Sequence, residues 1–81
     1  MNKRQAHVQI KDAALGIVTY LARNQQCERT CFMWEWDTTM LPMHFWVERC
    51  DGERFETCSG NSYDELVRNV RVRRDQLAGR Y

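Results

Sequence analysis

Between residues 30 and 49 the large side chains of this chain fall on every second position. Phe32, Trp34 and Trp36 alternate with Cys31, Met33 and Glu35; after a turn, Met43, Phe45 and Val47 alternate with His44, Trp46 and Glu48. A period of two belongs to a strand with one buried face, and a helix cannot gather such a pattern on one side. On either side of this stretch the period changes. Ile10, Ala13, Ala14, Ile17, Val18 and Leu21 recur at helical spacing, as do Tyr63, Leu66, Val67, Val70 and Leu77. A sheet with one apolar face and two amphipathic helices to cover it is the arrangement that buries all of these together.

The spacing predicts a helix over about 8–25, strands over 30–36, 43–49 and about 53–58, and a last helix opened by Ser62. Ser62 followed by Glu65 reads as a capping box. The chain therefore reads as α+β in the order α-β-β-β-α, a three-stranded antiparallel sheet with both helices on one face. Its 81 residues form a single domain, 1–81, with 1–8 as a flexible lead-in. A domain of this size buries only about 60% of its unfolded surface, so large side chains must fill its core. Three Trp, three Tyr and three Phe supply that area from few positions.

The register follows from the Asp51-Gly52 hairpin signal. A three-residue loop, Cys50-Asp51-Gly52 with Gly52 left-handed, pairs Val47 with Phe55. Phe32, Trp34, Trp36, Met43, Phe45, Val47 and Phe55 then face the helices. The opposite face carries Cys31, Met33 and Glu35, then His44, Trp46, Glu48 and Cys50, then Arg54, Glu56 and Cys58. Trp46 sits centrally, with Glu35 and Glu56 as its expected neighbours.

The net charge of +1 shows no basic excess. Its distribution is uneven: Glu35, Asp37, Glu48, Asp51, Glu53 and Glu56 fill the middle, and Arg68, Arg71, Arg73, Arg74 and Arg80 follow residue 65. No apolar run approaches the roughly 18 residues of a membrane span. Met1-Asn2-Lys3-Arg4-Gln5 leads into no apolar signal segment, so a reducing, cytoplasmic setting is expected, the host cytoplasm if the chain is phage-encoded.

Catalytic and metal chemistry find little purchase. Cys27, Cys31, Cys50 and Cys58 lack ribbon or knuckle spacing, and in this register Cys58 lies roughly 17 Å from Cys50. Neither a metal nor a cofactor is expected, although three thiols, Cys27, Cys31 and Cys50, are near enough in register to consider. His44 and Cys58 are expected to face each other across the second and third strands, but no oxyanion hole or pocket accompanies them. No glycine-rich phosphate loop is present. The chain reads as non-enzymatic.

The most distinctive feature is an aromatic anchor among carboxylates: Trp46 and Met33 ringed by Glu35, Glu48 and Glu56. That is the anatomy of a protein-interaction hot spot for a partner with a basic surface. Cover by residues 1–8 or by a second copy of the chain, as a homodimer, would bury the same face. The alternative is a nucleic-acid surface of Lys11, Arg23, His44, Arg68, Arg71 and Arg74.

The element order over 10–78, with Pro42-Met43-His44 before the second strand and Gly60-Asn61-Ser62 before the last helix, resembles the double-stranded-RNA-binding domain. The resemblance implies RNA contacts by the loop His and the last helix start. It departs from that family where a Lys pair is replaced by Tyr63 and Asp64, then Glu65, an acidic helix start that repels phosphate. The small size and absent catalytic motifs are also similar to small phage proteins, anti-CRISPR proteins among them. The expected function is thus inhibition or modulation of a larger, nucleic-acid-handling complex, with RNA or DNA binding as the alternative.

Overall fold

The computed structural model describes residues 1–79; Arg80, counted above with the C-terminal basic residues, lies outside them. The order is α1 (Lys3–Asn24), a 3-10 turn (Arg29–Cys31), β1 (Phe32–Asp37), β2 (Met43–Arg49), β3 (Arg54–Gly60) and α2 (Tyr63–Leu77). The strands form one antiparallel sheet in the order β1-β2-β3. Both helices pack on the face carrying Phe45 and Val47, as the alternation requires. No described helix is long and apolar enough to cross a membrane.

The first helix starts earlier than its apolar stripe. Asn2 is the N-cap: its side chain accepts from the Gln5 amide at 2.8 Å, and the Gln5 side chain accepts from the Asn2 amide at 2.9 Å. This reciprocal box satisfies two otherwise orphaned donors and adds a turn before residue 8. The expected flexible lead-in is thus helical from Lys3. It lies on the helical side of the sheet, with His7 5.1 Å from Trp34 and 5.6 Å from Trp36, and cannot cover the opposite face.

The centre of the core is β2. Phe45 and Val47 are fully enclosed, with Ile10 and Ile17 from α1 and Leu66 and Val70 from α2. Trp34 stacks on Phe45 at 6.2 Å. Trp34 and Trp36 face inward but remain half-buried because β1 is an edge strand. Ala6, Ala13, Ala14 and Ala22 on the buried side of α1 leave room for α2, and the stem of Arg74 lies across Gly16.

The hairpin between β2 and β3 forms as the sequence requires. Val47 pairs with Phe55, and Gly52 takes φ 91°. Arg49 ties this end of the domain together. It donates to Asp51 at 3.0 and 2.7 Å, to Glu53 at 2.6 Å and to Gln25 at the end of α1 at 2.6 Å, while its guanidinium lies over Phe55. These bonds, with the Glu53 amide, hold the Asp51 carboxyl well below its usual range, at about 2.

Past Phe55 the register shifts by one residue. Phe45 pairs with Cys58 rather than 57, so two residues of β3, Glu56 and Thr57, oppose Trp46 alone. This is a β-bulge, with Glu56 left-handed at φ 53°. It inverts the rest of β3: Cys58 and Gly60 turn to the core, and Thr57 and Ser59 turn outward. Gly60 lies under the first turn of α2, where an added Cβ would meet the Leu66 nitrogen at 2.6 Å and its Cα at 2.8 Å.

Gly60→Ala is expected to destabilise the domain by about 1–3 kcal/mol, since backbone must move to admit the methyl. Gly16→Ala displaces only the flexible Arg74 stem, at 3.0 Å. Urea titrations of the two variants should separate clearly, and equal midpoints would contradict this packing.

Candidate functional site

Among the described residues, no other element covers the face of the sheet opposite the helices. Its side chains come from alternate positions: Met33, Glu35 and Asp37 on β1, His44, Trp46 and Glu48 on β2, and Arg54, Thr57 and Ser59 on β3. Trp46 is at its middle, directly opposite Glu35 in the β1–β2 register.

Trp46 is half-buried on this face, because its own neighbours hold it. Arg54 lies over the indole, its guanidinium carbon 4.2 Å from the ring centroid. The indole N–H donates to Glu48 Oε1 at 3.3 Å, and Arg54 Nε stands 3.6 Å from the same oxygen. The three residues make a cation–π contact and an ion pair that fix the ring on the sheet. Arg54 belongs to this site, although it was not singled out from the sequence. Its signal was present: pairing Val47 with Phe55 also pairs Glu48 with Arg54.

Of the expected partner-binding residues, Met33, Glu35, Trp46 and Glu48 share this face, with Met33 63% exposed. Glu56 does not. The bulge turns it toward α2, where it accepts from Arg73 at 3.1 Å and is mostly shielded. Thr57 takes its place beside Trp46, in a shallow depression lined also by Asp37, His44 and Arg54. Asp37 is the carboxylate that the sequence reading ended one residue short of. Its side chain accepts from the Thr39 hydroxyl at 2.6 Å and the Thr39 amide at 3.0 Å, which lowers its pKa. The face thus carries three carboxylates, Glu35, Asp37 and Glu48, against one guanidinium.

The Cys–His pairing expected from simple alternation is removed by the same bulge. His44 is exposed on the open face, and Cys58 is buried on the other, where burial pushes its thiol pKa up. A raised pKa in an apolar setting is the opposite of nucleophile activation. Cys31 and Cys50 do meet at the end of the β1–β2 ladder, the Cys50 amide donating to the Cys31 carbonyl at 2.8 Å. Partial burial, then the Cys50 thiol, raise the Cys31 pKa. Among the described residues no three His, Cys, Asp or Glu side chains are arranged to hold a metal ion.

The residues of the nucleic-acid alternative lie on different surfaces. Lys11 is on α1 beside the β1 edge, and Arg23 is near the end of α1. His44 is on the open sheet face, while Arg68 and Arg71 are exposed on α2. Arg74 is engaged, 3.0 Å from Asp75 and 3.8 Å from Asp12, with its stem packed on Gly16. The first turn of α2 carries Asp64 and Glu65, where the RNA-binding resemblance calls for lysines.

No family model, curated protein or solved structure matches the chain.

If Arg54 holds Trp46 as described, Arg54→Ala costs about 0.5–1 kcal/mol of stability, the usual size of an exposed cation–π contact. A double-mutant cycle with Trp46→Leu should return that loss as coupling in urea unfolding. Additive losses would show that the two side chains only lie near each other.

Proposed function

We propose that the chain is a non-enzymatic binding protein whose open sheet face docks a protein partner with a basic surface. The uncovered face with Trp46 at its centre, exposed Met33 at its β1 edge and Glu35, Asp37 and Glu48 beside them carries this reading. Carboxylates at the rim speed encounter with a basic partner, and an apolar centre prolongs residence. Arg54 shapes the recognition. Its hold on the indole is worth only about 0.5–1 kcal/mol at an exposed site, so an arriving side chain can displace it at small cost. The displaced guanidinium is then free for a carbonyl or carboxylate of the partner.

Basic surfaces attract nucleic acid, and an acidic face seated on such a surface of a larger assembly would exclude it. In this reading the chain inhibits or modulates that assembly, in the manner of a phage anti-CRISPR-type inhibitor, and acts in the cytoplasm. RNA or DNA binding is less well supported, because its residues are dispersed and Arg74 is already paired.

The test compares three chains immobilised and exposed to host extract with and without nuclease treatment: wild type, Glu35→Lys and Arg68→Glu. Both altered positions are exposed, so circular dichroism should show intact folds. The proposal expects a defined protein captured by wild type and Arg68→Glu but lost with Glu35→Lys. Capture indifferent to Glu35→Lys would remove the face from consideration. Retention of nucleic acid alone, lost at moderate salt and with Arg68→Glu, would establish the alternative.

A further inference from the structure

We propose that the outer flank of α1, beside the free edge of β1, is the interface of a homodimer, its occupant a second copy of this chain. This surface borders the open sheet face at Met33, and the proposal does not depend on what docks on that face. Val8, Lys11, Asp12 and Leu15 form one stripe along the flank, and together with Met33 they line an open groove. Val8 is 63% exposed and Leu15 56%, so two large aliphatic side chains face solvent two turns apart on one helix.

The stripe is complementary to itself. A two-fold axis perpendicular to α1, midway between Lys11 and Asp12, sets the two helices antiparallel. Val8 then meets Leu15 of the copy, and Lys11 meets Asp12 of the copy, each contact made twice. Two apolar pairs bracket two ion pairs, and no like charges meet. This is the isologous pattern of a closed two-fold dimer, and the flank supplies both halves of it. Asp12 stands 3.8 Å from Arg74, but its side chain is 80% exposed and can accept a second cation.

The neighbouring strand agrees with this arrangement. β1 is an edge of the sheet. The Cys50 amide bond to the Cys31 carbonyl sets the phase of the ladder, so Cys31, Met33 and Glu35 bond toward β2. Phe32, Trp34 and Trp36 therefore point their backbone N–H and C=O groups to the open edge. An edge left in that state needs cover. Phe32 and Trp34 line the same groove as the stripe, so a second copy seated on the flank also covers this edge.

Sedimentation velocity of the full chain over a range of concentrations tests the proposal. The expected species has twice the 9.7 kDa chain mass. K11E places like charges together at both contacts, and so does D12K; each should raise the dimer dissociation constant at least tenfold while leaving circular dichroism unchanged. Mixed one to one, the two variants bring opposite charges together at both contacts, and the dimer should return. The double variant K11E/D12K should dimerise for the same reason. A wild-type chain that stays monomeric would leave the flank to a different protein and overturn the proposal. So would a dimer indifferent to either single change, or a mixture no more associated than its components.

Discussion

The extra residue that β3 inserts opposite Trp46 turns over the second half of that strand, and the seating of α2 depends on it. Without the bulge, Cys58 and Gly60 would face away from the helices, and Thr57 and Ser59 would be driven into the core. With it, the small Cys58 side chain meets Phe45, and Gly60 gives the first turn of α2 the clearance it needs. A left-handed Glu56 costs roughly 1–3 kcal/mol of backbone strain. The side chain so aimed reaches Arg73 and fastens the middle of α2 to the sheet. The same shift gives the open face Thr57 in place of Glu56.

Close approach elsewhere follows similar economy. Small residues line the buried side of α1, so the two helices pack directly on each other over a sheet of only three strands. The largest side chains, Phe45 and Trp34, are concentrated at the centre of the sheet and its nearer edge. At the far end Arg49 joins the hairpin to the end of α1 through charge-assisted bonds that a domain with so small a core can use. Among the described residues, the surfaces left uncovered include the open sheet face and the flank of α1 that carries Val8 and Leu15. The binding and dimer proposals rest on these two surfaces.

Much of this was legible from the chain alone. The alternation of Phe32 to Trp36 and of Met43 to Val47 fixes two strands and their inward faces, and Asp51-Gly52 fixes the β2–β3 register through Val47 and Phe55. Ser62 caps α2 by accepting from the Glu65 amide at 3.1 Å. The bulge was not legible: Glu56 takes a left-handed backbone that glycine usually marks, and nothing in Phe55-Glu56-Thr57-Cys58 announces it. Strict alternation therefore misplaced Glu56 and Cys58. The early start of α1 was overlooked for another reason: its signal is the polar pair Asn2 and Gln5, and the apolar stripe begins only at Ile10. Arg54 was predictable as the cross-strand partner of Glu48. Its position over Trp46 depends on side-chain packing that pattern cannot supply.

The most direct test of this account is the native-state alkylation rate of Cys58 against that of Cys50, followed by mass spectrometry. Cys50 is exposed and Cys58 is buried with its thiol pKa raised. The bulged register predicts rapid modification of Cys50 and protection of Cys58 until the domain unfolds. Modification of Cys58 as fast as Cys50 would place it beside His44 on the open face. The bulge, and the composition of the binding surface that follows from it, would then be wrong.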